Sequence, residues 1–153
     1  MNSKPYPEPV RRTLAIAETK GIPCEVIAHE LSGSSSEAAA KALGVDVAAV
    51  IKTLVLETDQ GFAVAIIAGD ERLDFKAVAR RLGRRKVRLA SPDQVKELSG
   101  YEVGGVPPIV FDGKCQILVS GRVLSREVVI GAAGDAFHGL KLSPDHIPHS
   151  RIL

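Results

Sequence analysis

The chain has 153 residues, of which 45% are hydrophobic and 25% are charged, and its formal net charge is +2. These values are typical of one globular domain and exclude a wholly disordered chain. The longest apolar run, residues 62–68, has the length of a strand and is far shorter than the ~18 residues of a membrane span.

Several function classes are excluded by what the sequence lacks. Its two cysteines, Cys24 and Cys115, form no CxxC pair and are too few for a disulfide scaffold. The Cys/His spacing of a structural zinc site is missing, and the start of the chain has no apolar segment typical of a signal peptide. We therefore expect a small cytoplasmic α/β protein that holds no metal, needs no cofactor and contacts no membrane.

Helices are predicted where apolar residues recur with helical spacing. In chain order they cover residues 10–17, residues 38–43, residues 73–82 and a segment that begins after Ser91. Gly21, Gly44 and Gly83 stand where the first three helices should end. A capping box between Ser34 and Glu37 is expected to begin the second helix.

Strands are predicted from short apolar or alternating segments. They cover residues 24–29, 52–57, 62–68, 86–90, 109–111 and 115–120. The segment 62–68 is apolar at every position, which predicts burial on both faces and a central place in the sheet. Residues 100–108 are predicted to be a loop, residues 125–130 fit either a strand or a helix, and the following segment has no assignment.

Lys52 is the first residue that could carry chemistry. It shares one face of its strand with Leu54 and Leu56. A lysine at the head of an apolar face either extends its ammonium to water or meets a specific anion. Taken alone, the pattern favours the first alternative, because lysines are seldom fully buried.

The loop 100–108 is the second candidate, because it contains Gly100, Gly104 and Gly105 and ends in two prolines. Such a loop can direct several backbone N–H groups at one oxygen atom. A tight connection between two elements explains the same composition equally well.

Serine and histidine residues give weaker signals. Ser120 follows a strand, but no GxSxG motif or Ser-His-Asp set surrounds it, so a turn-capping role is favoured. His29 ends a strand, whereas the other three histidines lie towards the C-terminal segment. Without metal-ligand spacing, each histidine is better explained as a surface or capping residue.

A basic cluster lies between residues 76 and 88. It holds seven of the 20 basic residues and no acidic one. Its members are Lys76, Arg80, Arg81, Arg84, Arg85, Lys86 and Arg88. A solvated helix face is the simple explanation, but dense and unpaired positive charge favours contact with nucleic-acid phosphates.

Three motifs, in their order along the chain, resemble the YbaK/prolyl-tRNA-synthetase-associated editing domain family. They are Ile51-Lys52-Thr53-Leu54, the Gly-Tyr-x-x-Gly-Gly-x-x-Pro stretch at residues 100–108, and Val119-Ser120-Gly121. The similar region runs over about residues 10–134. The resemblance implies one α/β domain over residues 1–153, with a mixed, curved, barrel-like sheet flanked by helices.

The same resemblance implies a function and a set of site residues. Members remove wrongly attached amino acids from tRNA, mostly from mischarged prolyl-tRNA, so tRNA and a prolyl-tRNA synthetase are the candidate partners. Lys52, Gly104 and Gly105 take the catalytic positions, with Lys52 at the terminal adenosine or phosphate and the glycine loop around the ester. The positions expected to bind substrate are Tyr101, Pro108, Ser120, Gly121, Glu127 and His29.

Two positions depart from the family pattern. Glu127 stands where the family has an aspartate, and Arg122 replaces the second glycine of a common Ser-Gly-Gly. The segment 31–36, which shapes the amino-acid pocket in relatives, is rich in serine here.

Editing by hydrolysis fits a sequence without a catalytic triad. A synthetase distinguishes small apolar side chains by only ~1–3 kcal/mol per methylene, so a second, hydrolytic selection is needed. An aminoacyl ester is already activated, and its hydrolysis needs only a well-positioned carbonyl and water. The alternative is a tRNA- or nucleotide-binding module without activity on the same fold. Lys52 and the glycine loop favour the enzyme. A simple protein-interaction domain explains neither Lys52 nor the basic cluster.

Overall fold

The computed structural model describes residues 6–29 and 35–153, which form two β-sheets and five α-helices. The helices are α1 (Glu8–Lys20), α2 (Ser36–Leu43), α3 (Phe75–Leu82), α4 (Pro92–Ser99) and α5 (Gly121–Leu124). The strands are β1 (Glu25–Ala28), β2 (Ile51–Thr58), β3 (Gly61–Ala68), β4 (Val87–Leu89), β5 (Gln116–Val119), β6 (Val129–Ala132), β7 (His138–Leu142) and β8 (Arg151–Ile152). No helix in these two described ranges is long and apolar enough to cross a membrane.

The larger sheet has the strand order β4-β2-β3-β5-β8 and mixes antiparallel with parallel pairs. The smaller sheet, β1-β7-β6, is antiparallel throughout. An isolated parallel bridge between Val50 and Ile130 links the two sheets. The expected mixed α/β fold is confirmed, although the larger sheet keeps two open edges, β4 and β8, and does not close into a barrel.

Strand β3 occupies the centre of the larger sheet, as its uninterrupted apolar sequence predicts. All its residues from Ala63 to Ala68 are buried. Val64 and Ile66 join the main core cluster, whereas Ala63 and Ala65 face a second cluster that α3 covers with Val78 and Leu82. Two buried faces explain why no polar residue interrupts this strand.

Local signals predicted the ends of the helices well. Gly21, Gly44 and Gly83 each follow a helix with a φ of 66–68°, a left-handed conformation that glycine adopts without strain. The capping box of α4 between Ser91 and Gln94 is complete. Ser35 caps α2 through the Ala38 N–H, while the predicted box to Ser34 lies outside the described residues.

The predicted strand 109–111 is wrong. Ile109 and Phe111 are fully buried, but they lie in consecutive turns that pair with no strand in the described part of the chain. The Ile109 carbonyl instead accepts a hydrogen bond of 2.6 Å from Lys20 Nζ of α1. The apolar sequence here reflects packing into the core rather than membership of a sheet.

The C-terminal segment, which had no assignment, completes both sheets. Strand β7 lies at the centre of the smaller sheet, and β8 extends the larger one at the edge of β5. Residues 125–130 divide into a turn and the first half of β6. These strands have only two to five residues, and β6 and β7 each contain a glycine, so none gives a clear alternating pattern.

Gly69 tests the close packing at the end of β3. A Cβ atom at this position would lie 2.3 Å from the Val47 carbonyl oxygen and 2.5 Å from that of Val50. We expect Gly69→Ala to lower the free energy of unfolding by roughly 1–3 kcal/mol, because the backbone must move apart. Urea unfolding measures this, with Gly121→Ala as the control, since a Cβ at Gly121 meets no atom within 4 Å. Equal stability of the two variants would contradict the packing.

Candidate functional site

A cavity of about 230 Å³ lies between the start of β2, α2, the loop 100–108 and the start of β7. We call it the Lys52 cavity. Its polar lining includes Lys52, Thr53, Gly104, Asp135 and His138. Lys52, Gly104 and His29 are the predicted site residues that the fold brings to this cavity.

Lys52 is half-buried and anchored. Its Nζ donates a hydrogen bond of 3.0 Å to the backbone carbonyl of Glu71. The Glu71 carboxylate in turn accepts the Ala68 N–H at 2.8 Å, which fixes the turn that carries this carbonyl. An ammonium group has three N–H donors, and residues 6–29 and 35–153 supply only this one acceptor. Within those ranges, two donors are left for a ligand in the cavity.

An ion pair holds the same turn from the other side. The Arg122 guanidinium contacts the Asp70 carboxylate at 2.9 and 3.0 Å. The hydrogen bond from Arg122, and then its positive charge and that of Lys52, hold the pKa of Asp70 below its ordinary value. Arg122 stands at the position where the resembled family often has a glycine, and a glycine there could not form this ion pair.

The two glycines of the loop have different tasks. Gly105 donates its N–H to the Glu102 carbonyl at 3.0 Å, and a Cβ here would lie 2.5 Å from the Gly134 carbonyl oxygen. Gly104 has a φ of 91°, and its N–H has no acceptor within residues 6–29 and 35–153. Gly105 therefore permits close packing of two turns, whereas Gly104 offers a backbone donor at the cavity.

Tyr101 lies in the core, with only 2% of its surface exposed. Its hydroxyl pairs with Thr13 Oγ1 at 2.9 Å, and the Arg12 guanidinium stacks 4.3 Å from its ring centre. Burial raises the pKa of Tyr101. Tyr101 thus connects the loop 100–108 to α1. It is not one of the residues that line the cavity, although the resemblance implied that it binds substrate.

The remaining predicted substrate positions are not part of the lining either. Ser120 is 4% exposed and caps α5, since its Oγ accepts the Arg122 N–H at 3.2 Å. Gly121 begins α5, Glu127 is exposed in a turn, and Pro108 packs beneath the cavity against Gly131. Ser120 therefore has the capping role that the sequence around it predicts.

Sequence reasoning missed the pair formed by His138 and Asp135. Their side chains meet at 2.8 Å between Nδ1 and Oδ1 and are 16% and 25% exposed. Asp135 is itself fixed, because the same oxygen accepts the Phe137 N–H at 2.9 Å. A carboxylate at Nδ1 orients the ring and leaves Nε2 as the nitrogen for a reacting group. The Asp-x-x-His spacing was the available signal, but it lay in the segment without an assignment.

The basic cluster lines an open groove of about 800 Å³ beside α3 and β4, which we call the basic groove. The basic residues that line it are Lys76, Arg80, Arg84, Arg85, Lys86 and Arg88. Arg81 lies outside it, in a shallow depression near Leu153.

The expectation that this cluster lacks carboxylates is wrong in two places. Glu57 pairs with Arg88, whose hydrogen bond lowers the pKa of Glu57. Asp59 accepts the backbone N–H groups of Arg85 and Lys86. These acids come from β2 and the hairpin turn, about 30 residues earlier in the chain. The side chains of Lys76, Arg80 and Arg85 nevertheless form no ion pair within the described residues.

Strand β2 contributes residues to both the basic groove and the Lys52 cavity. Lys52 stands near the start of β2, and Glu57 of the groove stands five residues later. At the usual rise of a strand, the two positions are about 17 Å apart. Among the described residues, no group of three His, Cys, Asp or Glu side chains is placed to hold a metal ion, and both cysteines are free.

Comparisons with known proteins find a matching family model and similar proteins. Residues 31–148 match the family model of the aminoacyl-tRNA editing domain. A proline–tRNA ligase of Bacillus cereus (strain AH820) is 31% identical over 106 residues, which make up 67% of this chain and 18% of the ligase. The chain thus corresponds to less than a fifth of such a ligase.

Two solved structures are similar over nearly the whole chain. One, of a proposed trans-editing enzyme for prolyl-tRNA synthetase, has a TM-score of 0.87 at 26% identity and covers 95% of this chain and 96% of its own. The other, of a hypothetical protein, has a TM-score of 0.83 at 28% identity and covers 92% of this chain and 97% of its own.

The Arg122–Asp70 pair predicts a particular pH dependence of stability. The folded-state pKa of Asp70 lies below its ordinary value of 3.8, so the pair stabilises the folded state above pH 3.8. That stabilisation disappears as the pH falls through the lower folded-state value. We expect wild type to exceed Asp70→Asn in thermal midpoint at pH 6, with the gap closing in strong acid. A gap that stays constant down to pH 2 would contradict the ion pair.

Proposed function

We propose that this chain, which belongs to the aminoacyl-tRNA editing domain family, is a hydrolase that removes wrongly attached amino acids from tRNA. The observation that carries the proposal is the Lys52 cavity. An ammonium, an unused backbone N–H and an oriented imidazole line the same small space there. These are the donors and the base that ester hydrolysis requires.

The size of the cavity supports a small aminoacyl group as the part of the substrate that enters. Pockets for drug-sized ligands usually measure about 300–1,000 Å³, whereas this one measures about 230 Å³. An amino acid fits such a volume, and the tRNA itself stays outside. Because the relatives are proline–tRNA ligases and a proposed trans-editing enzyme for prolyl-tRNA synthetase, mischarged prolyl-tRNA is the proposed substrate.

Each lining group has a step in the proposed reaction. Lys52 binds the phosphate or ribose end of the aminoacyl-adenosine, and the Gly104 N–H donates to the ester carbonyl oxygen, where negative charge develops. His138 Nε2 accepts a proton from the attacking water while Asp135 stabilises the charged ring. The acyl carbon–ribose oxygen bond then breaks, and the ribose oxygen takes up the proton. The products are the free amino acid and uncharged tRNA. No step requires a metal ion, since the ester is already activated.

The basic groove is proposed to bind the tRNA backbone. Glu57, which lines the groove, lies about 17 Å from Lys52 along β2, so the groove would hold phosphates while the 3′ end occupies the cavity. Backbone contacts of this kind supply affinity without reading the sequence.

Lys52→Ala tests the enzyme against the binding-module alternative. Purified protein is incubated with the proline-accepting tRNA charged with Ala, Cys, Ser or Pro, and the loss of the amino acid is followed. We expect rapid removal of one non-cognate amino acid and a loss of ~10²–10³-fold in rate on Lys52→Ala, with no change for the control Lys114→Ala. Unchanged deacylation by a folded Lys52→Ala variant would remove the proposed role. Binding of every charged tRNA without hydrolysis of any would favour the module.

His138→Ala tests the base. Removal of a general base typically costs ~10²–10⁴-fold in the rate of the chemical step, so we expect kcat to fall with KM little changed. The exposed His146→Ala variant is the matched control. A fall in binding with kcat unchanged would show that the imidazole only contacts the substrate.

The double variant Arg80→Glu/Arg85→Glu tests the basic groove. Arg84 is kept, because its side chain also donates to the Leu82 carbonyl. We expect weaker tRNA binding. We also expect the plot of the logarithm of the binding constant against the logarithm of the salt concentration to be less steep, by the loss of about two phosphate contacts. Arg126→Glu/Lys141→Glu, which makes the same charge change outside the groove, should leave the slope closer to wild type. Equal slopes for the two double variants would mean that tRNA lies elsewhere.

A further inference from the structure

Phe75 is an exposed aromatic residue in a positively charged setting. It is the first residue of α3, 37% of its surface is exposed, and it lines the basic groove together with Lys76 and Arg80. Within the described residues its ring stacks on no other aromatic ring or cation. The exposed part of this apolar ring gains no free energy from removal from water. A flat ligand that covered the ring would supply that gain, and the surrounding cations favour a ligand with negative charge.

We propose that Phe75 is a stacking platform for an unpaired base near the 3′ end of the bound RNA. Grooves for single strands combine cations that follow the phosphates with aromatic rings on which bases stack. Paired bases are already stacked on one another within a helix, so an exposed ring selects a strand whose bases are free to turn outward. The inference rests on the proposed binding of tRNA in the basic groove and adds a contact that neither the cavity nor the arginines supply.

Phe75 lies in one part of the proposed site and close to the other along the chain. The Glu71 carbonyl, which holds Lys52 Nζ, lies only four residues before Phe75, a distance of at most ~14 Å. Asp74 caps α3 through the Ala77 N–H at 3.1 Å and so fixes where the helix begins. In the proposed arrangement, a strand that leaves the Lys52 cavity towards the arginines passes the ring. The reactive end lies in the cavity, the following unpaired base on Phe75, and the phosphates beyond it in the groove.

Phe75→Trp gives a direct optical test, because the natural chain has no tryptophan. The titrant is an RNA hairpin with an unpaired 3′ strand, and its blunt-ended counterpart is the comparison. We expect the first to quench the Trp fluorescence and the second to leave it unchanged. Val128→Trp, at a position 42% exposed beside Arg126 and outside the basic groove, is the control and should not respond to either RNA. Tailed RNA that binds by fluorescence polarisation without quenching would overturn the proposal, as would equal quenching by both hairpins.

A second set of variants separates stacking from simple apolar contact. We expect Phe75→Leu and Phe75→Ala to weaken binding of the tailed hairpin about five- to tenfold, the lower end of what stacked bases lose. Phe75→Tyr should keep the wild-type affinity for the tailed hairpin, because it keeps an aromatic ring. None of the three variants should change binding of the blunt hairpin. Wild-type affinity in Phe75→Leu would overturn the stacking role. These readouts need no hydrolysis, so a chain that binds and stacks RNA but does not deacylate would refute the enzyme while leaving this inference standing.

Discussion

The burial of β3 on both faces is the constraint on which the rest of the structure depends. A strand without polar side chains must be covered on both sides and paired along both edges, and β2 and β5 provide the pairing while α3 covers one face. Strand β3 ends at Ala68, and the turn that follows holds the Glu71 carbonyl at Lys52. The candidate site therefore stands where the most completely buried strand emerges, which limits the movement of its key cation.

The turn after β3 also explains how a half-buried ammonium is tolerated. Removing a cation from water is costly unless other groups replace the lost hydration. Lys52 receives a carbonyl from Glu71 and lies within the field of Asp70, which Arg122 holds in place. Among the described residues, the Glu71 carbonyl takes only one of the three N–H donors of Lys52. The other two donors and the positive charge of the ammonium would attract an anionic or carbonyl oxygen of a ligand.

Sequence patterns predicted the features that depend on neighbours in the chain. Glycine ends of helices and the apolar strand β3 are such features, because a few adjacent residues determine them. Ile109 and Phe111 look like a strand, yet no partner strand reaches them, and strand pairing depends on distant segments. For the same reason the acids that enter the basic groove were not foreseen. His138 was missed because β7 is short and its own alternation is weak, although its ring lines the cavity.

The distribution of charge connects the two proposed parts of the site. Seven basic residues lie in one cluster, so acidic residues outnumber basic ones by five in the rest of the chain. Glu57 and Asp59 line the groove itself, so the excess of acidic residues in the rest of the molecule is three. Such an asymmetry favours the encounter of a polyanion with the face that carries the cluster. Under the proposed function, an RNA that approaches along this field would arrive with its backbone beside α3. Strand β2 then sets how far its 3′ end must reach to enter the Lys52 cavity. Under the proposed function, affinity would thus arise mainly in the groove and chemical selection in the Lys52 cavity, so a substitution in one part would leave the contacts of the other part unchanged.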